Sequence, residues 1–213
     1  MGTIVRELAM KLDLLRQQDI GLQVFGADGH TYRSTRVSPS DIQALEAFAG
    51  APLPADYRDW LSDVGWGAGP DYGLMSPQAV ISEDRSSMAG TGGDIESIAK
   101  IRRADVIRYI AAVQTAGTHF GMRVTADSFR GSIIISHQGC NGYSHLVVEG
   151  EMSGRVFGEC GDLVGAPWTA AGAFWPASRD PLYPTADSTP LTFLEWIESW
   201  LDNGLARAAR GFT

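Results

Sequence analysis

Long apolar runs are missing from this sequence, and their absence bounds the reading first. No run approaches the roughly 18 residues that a membrane span needs, and the start, MGTIVRELAMKLDLL, interleaves charge with apolar residues instead of building a signal-peptide centre. Cysteine is nearly missing as well. Cys140 and Cys160 are too few and too isolated for a disulfide framework, and they form no CxxC pair. These absences point to a cytoplasmic protein with no membrane association. Basic residues are also short, 17 Lys and Arg against 25 Asp and Glu, giving a net charge of −8. Nucleic-acid binding needs a basic face that releases counterions, so this balance argues against nucleic acid as a partner.

What is present is enough apolar material, 44% of 213 residues, to bury a substantial core. The charge is segregated. Residues 41–94 hold nine acids against Arg58 and Arg85, residues 149–202 hold nine against Arg155 and Arg179, and each segment sums to −7. Residues 95–148 carry +3. Acids often do no more than keep a protein soluble, but their concentration in two segments fits a basic partner.

Apolar spacing at Ile4, Val5, Leu8, Leu12 and Leu15 predicts a helix over 3–18. Gln23–Phe25 reads as a strand, with Asp28-Gly29 as its turn. Ser38-Pro39 opens a helix that Gly50 stops, and Pro54 starts another through Tyr57, Trp60, Leu61 and Val64 that ends at Gly65. The stretch from Gly65 to Pro70 reads as an irregular loop, and the glycine-rich residues 82–94 as a mobile one. Helical spacing resumes at Val106, Ile107, Ile110 and Val113. Ser132–Ser136, Ser144–Val148 and Gly154–Glu159 form an antiparallel meander in this reading. Thr189-Pro190 opens a last helix that ends near Asn203-Gly204.

Several groupings could carry chemistry. His137, Cys140, His145 and Cys160 could bind zinc, but their spacing fits no common zinc module, and a tight glycine turn between strands accounts for the grouping. As a nucleophile and base, Cys140 and His145 lack an orienting third group. The glycines of 65–73 lack the Lys-Ser/Thr of a P-loop. Acid pairs such as Asp56 with Asp59, or Glu149 with Glu151, fall where solvated surface is expected. The expectation is therefore a protein without catalytic residues, metal or cofactor. Trp60, Trp196 and Trp200 read as core anchors, whereas Trp66 and Trp175 sit in loops, either tucked over the core edge or exposed as binding anchors.

Three stretches resemble the SUKH superfamily, Smi/Knr type. Leu53-Pro54-Ala55-Asp56-Tyr57 with Trp60, followed by the glycine turn through Gly69 and then Tyr72-Gly73-Leu74, resembles its LP-x-x-Y helix, glycine-rich turn and YGL segment. Gly139-Cys140, Leu146–Gly150 and Gly154–Phe157 are similar to its GCG, LVV-x-G and G-x-V-W strands, with Asn141 and Phe157 departing from the pattern. Phe193, Trp196, Trp200 and Leu201 look like its closing helix. Together these cover roughly 39–204, which makes 39–213 the SUKH-like domain, with an insertion at about 80–130 and residues 1–38 as an N-terminal extension.

The resemblance implies an α+β fold with helices packed around a central antiparallel sheet. It also implies, among bacterial members, service as an immunity protein that binds and neutralises a cognate toxin, nucleases included; the alternative is an intracellular regulatory scaffold that works through protein contacts. The residues expected to meet a basic toxin are Trp66, Asp71, Glu83, Asp84, Glu149, Glu151 and Asp162. Pro54, Tyr57, Trp60, Gly69, Tyr72, Gly73, Gly150, Trp196 and Trp200 are expected to hold the framework.

Overall fold

The computed structural model describes residues 2–83, 97–116, 122–124, 129–139, 142–160, 172–177 and 189–211. The fold is α+β, as the sequence implied. Helix α1 (Thr3–Gln18) buries Val5, Leu8, Leu12 and Leu15 at three- to four-residue spacing. It is followed by the short α2 (Ala27–His30), β1 (Ser34–Thr35), α3 (Pro39–Ala49), α4 (Ala55–Asp63), β2 (Trp66–Gly67) and α5 (Pro77–Ser82). A 3-10 turn (Ile98–Lys100) and α6 (Arg103–Ala116) lead into β3 (Met122–Val124) and the meander β4 (Ser132–Gly139), β5 (Gly142–Val147) and β6 (Val156–Cys160). Strand β7 (Gly172–Pro176) and α7 (Phe193–Ala209) complete the chain.

The main sheet is antiparallel in the order β3-β7-β6-β5-β4. Beyond β4, Leu74 bridges Ser136 on one side and Gly67 on the other, and so joins the small β1-β2 pair to the large sheet. Strand alternation divides the apolar residues between two faces. Ile133, Ile135, Leu146 and Val156 join the main core with α1, α3, α4 and α7. Val147 and Phe157, one position along, meet Ile98, Ile101, Val106, Phe129 and Met152 on the other face. A sheet covered on both faces needs continuous apolar runs, as Ile133-Ile134-Ile135 supplies. The described part of the 80–130 segment thus covers the second face of the sheet. The N-terminal helix shares the main core: α1 packs along α7, where Lys11 Nζ donates to Glu198 at 3.2 Å and Asp202 at 2.7 Å.

Several local expectations are corrected. Gln23–Phe25 is not a strand, because the Asp19 carboxylate accepts the N–H groups of Gln23 (2.7 Å) and Val24 (3.0 Å) and withdraws them from any ladder. Asp28-Gly29 lies within the helical turn α2. Trp66–Gly67, expected to be irregular, pairs with Thr35 and Ser34. The cap of α7 is Thr192, which forms a reciprocal capping box with Glu195; Leu191 upstream is held extended between Val156 and Ala177. Gly204 does not end that helix, which runs on to Ala209. Of the three tryptophans expected in the core, Trp60 is fully enclosed, while Trp196 and Trp200 are half-buried at its margin.

Candidate partner-binding surface

The segment from Gly65 to Leu74 is a framework, not an open recognition loop. Ala68, Gly69, Pro70, Gly73 and Leu74 are buried, Leu74 and Gly67 exchange backbone hydrogen bonds at 2.9 and 3.0 Å, and Met75 N–H donates to Ile135 O at 2.9 Å. The buried Ser136 hydroxyl reaches the Pro70 and Gly73 carbonyls at 3.1 and 2.9 Å. Gly73 has φ +92°, and a Cβ there would overlap the Gly67 carbonyl, so the turn excludes other residues. What this framework presents to solvent is Tyr72.

Tyr72 belongs to a cluster drawn from separate parts of the chain. Its ring meets Phe25 edge-on at 5.4 Å and His137 at 6.2 Å, and His137 meets Tyr143 at 4.8 Å. Phe25 is 56% exposed and Tyr72 47%, while His137 and Tyr143 are half-buried. Gly139 makes room for the Tyr72 ring, since a Cβ there would lie 2.9 Å from it, while a Cβ at Gly29 on the other side would only touch it at 3.7 Å. His137 Nδ1 accepts the Gly139 N–H at 2.9 Å, so the neutral ring carries its proton on Nε2. Asp71 is half-buried beside this cluster. Burial pushes its carboxyl up to about 6, and among the described residues the carboxyl has no hydrogen-bond donor.

The residues expected to meet a partner fall into separate places. Trp66 is half-buried on β2 against the main core, the core-edge option of the sequence reading. Glu83 is half-buried just past α5. Glu149 and Glu151 are exposed at the β5–β6 turn, where Glu151 accepts the Arg103 N–H at 3.2 Å and Gly150 packs on the Ala99 carbonyl. Asp84, Asp162 and almost all of the loop 82–94 lie outside the described residues, as does the side chain of Trp175. Tyr72 N–H meets His137 O at one end of β4 and Glu149 N–H meets Gly131 O at the other. Six strand residues at ~3.4 Å each put about 20 Å between Asp71 and the Glu149 turn. The sequence reading singled out Asp71 and Tyr72 but missed Phe25 and Tyr143, and it took His137 for a turn residue.

The framework residues are placed as follows. Pro54 occupies the N-cap position of α4 without a side-chain cap, Tyr57 and Trp60 pack on Phe193 with centroids at 4.9 and 6.2 Å, and Trp200 stacks on Tyr32 at 6.2 Å. His145 is fully buried and stacked on Phe129 at 4.5 Å, with its Nδ1 3.3 Å from Ser132 Oγ, whose proton goes to the Phe129 carbonyl at 2.9 Å. No group of three metal-binding side chains occurs among the described residues; Cys140 lies outside them, and only the backbone of Cys160 is described.

The two acid-rich segments meet where α4 packs against α7. Nearby bases are already engaged: Arg58 with Glu46 at 2.7 Å, Arg155 with Glu195 at 3.5 Å, and Lys11 with the α7 acids. Asp56 and Asp59 remain exposed on α4 without an ion pair among the described residues. Fold and surface together define an α+β protein with an acidic helical side and a half-exposed aromatic cluster. Compared with known proteins, the chain matches no family model, no curated protein and no solved structure. No helix among the described residues is long and apolar enough to cross a membrane.

Proposed function

We propose that this chain is a cytoplasmic immunity protein of the SUKH type, which binds and neutralises a basic protein toxin by contact and without catalysis. The observation that carries the reading is the junction of the two acid-rich segments at α4 and α7, with the neighbouring bases engaged and Asp56 and Asp59 left facing solvent. Such a surface raises the encounter rate with a basic partner and disfavours acidic ones. The SUKH-like motifs add support. Tyr57, Trp60, Gly69 and Gly73 are buried, so these motif residues serve packing and leave the surface to set partner choice.

The test is genomic position and protection: a toxin gene immediately upstream of this one is expected, and cells that express its toxin domain are to be rescued by this chain, with purification of a complex of the two proteins. Rescue of growth and an equimolar complex are expected. No rescue and no complex from a well-folded, well-expressed chain would refute the reading, and a complex with a regulatory protein in its place would favour the scaffold alternative.

A further inference from the structure

Phe25 and Tyr72 are large rings left about half exposed, 56% and 47%, yet both are held: they meet edge-on at 5.4 Å, and Tyr72 is seated between the positions of Gly29 and Gly139. Rings fixed in this way lose little freedom when a partner covers them, which is what a binding anchor requires. The charge around them is one-sided. The stretches that carry the rings, 25–30, 71–73 and 136–143, contain two acids, Asp28 and Asp71, and no Lys or Arg; the next base along the chain is Arg33. Asp28 is exposed next to Gly29, and Asp71 is half-buried, its carboxyl without a donor among the described residues. Backbone contact joins these parts, because Gly26 packs directly on the Asp71 carbonyl.

We infer that the Phe25–Tyr72–His137 cluster, with Asp28 and Asp71 at its side, is a receptor for an arginine-bearing segment of a basic protein partner. Half-exposed rings carried by stretches that hold two carboxylates and no Lys or Arg suit a guanidinium, which is planar enough to stack on a ring while its N–H fork serves a carboxylate. Lysine satisfies the charge but not the stacking. The inference rests on the reading of the chain as a protein-binding module, and it specifies residues other than the α4 and α7 acids.

The test uses the full chain labelled with nitrogen-15 and an acetylated tetra-arginine amide as the probe, with tetralysine and the uncharged tetracitrulline as controls. Saturable amide shifts are expected at 25–30, 71–73, 136–139 and 142–143, with tetra-arginine bound about tenfold tighter than tetralysine and tetracitrulline not bound. Phe25→Ala, which removes a half-exposed ring, and Asp71→Asn should each weaken binding by about tenfold while the rest of the spectrum stays folded. Shifts spread over α4 and α7 with equal affinity for arginine and lysine would overturn the inference, as would parent-like binding by Phe25→Ala. Toxin protection that survives loss of the tetra-arginine site overturns this inference and leaves the immunity reading standing. An intact tetra-arginine site in a chain that protects against nothing does the reverse.

Discussion

Asp19 and Asp71 are both withdrawn from water, yet they titrate in opposite directions. Burial alone would raise the Asp19 carboxyl, but hydrogen bonds from Tyr32 Oη at 2.6 Å, Val24 N–H at 3.0 Å and Gln23 N–H at 2.7 Å outweigh it and hold the carboxyl below its ordinary value. Asp71 has no such donors, and burial pushes it up to about 6. The consequences for stability have opposite signs. On acidification through about 4 the unfolded chain protonates at Asp19 before the folded one does, so stability contributed by Asp19 is lost. At Asp71 the folded chain takes up its proton first, so lowering the pH from above 6 toward about 4 adds stability. Asp71→Asn, which tolerates the left-handed φ of +57°, should raise the melting temperature at neutral pH and flatten its dependence on pH between about 4 and 6. An unchanged slope in melts across that range would show that Asp71 is solvated. Tyr57 is fully enclosed, and among the described residues its hydroxyl has no partner. Removing an unpaired buried hydroxyl relieves a desolvation cost, so Tyr57→Phe should be neutral or stabilising by about 1 kcal/mol. A loss above about 2 kcal/mol in denaturant melts would mean that the hydroxyl is bonded after all.

The α1–α7 pair sets local preference against packing at Gly204. Alanine there would gain about 1 kcal/mol in helix propensity. Its Cβ, however, would stand 2.8 Å from Cδ2 and 3.1 Å from Cδ1 of Leu15, a residue with no exposed surface. Overpacking should win, so Gly204→Ala is expected to lose about 1–2 kcal/mol in denaturant melts; a net gain would show that the two helices can separate slightly at no cost. The same glycine shows where sequence reading fails. Asn203-Gly204 has the form of a helix stop, but here the glycine serves close approach between helices, a relation to residue 15 that no local window contains. Signals whose physics is local were legible: the Ser38-Pro39 cap, the left-handed Gly50 stop, and the short apolar runs between glycine turns that became β4, β5 and β6. Signals that depend on distant partners were not. Asp19 diverts the backbone of Gln23 and Val24, and Leu191 is paired as an extended segment ahead of the Thr192 cap. The Ser76-Pro77 start of α5 follows the same rule as the start of α3. For the site, Asp71 and Tyr72 stood out through their neighbours in sequence, but the rings of Phe25 and Tyr143 join them only because the sheet edge and α2 converge.

Across the whole molecule the net charge of −8 is distributed by the fold, and the distribution decides what each acid can do for binding. The α4–α7 junction gathers acids from both negative segments, whereas Glu149 and Glu151 stand at the far end of β4 from Asp71, with Glu151 engaged by the Arg103 backbone. The potential that steers a partner should therefore centre on the helices. Exposed charges act on encounter through a field that salt screens over about 8 Å at physiological ionic strength, while desolvated anchors act on residence time. Reversing Asp56 and Asp59 to Lys should slow association with the cognate toxin several-fold at low salt and have little effect on dissociation. The same reversal at Glu149 and Glu151 should slow it less. Phe25→Ala should do the opposite and speed dissociation with the association rate unchanged. Surface-based kinetics at low and high ionic strength, on variants matched for thermal stability, separates these effects; the match is needed because Asp56 also lies in the favourable first turn of α4. Association that ignores both salt and the reversal of Asp56 and Asp59 would show that the acidic helical side does not face the toxin, even where protection persists.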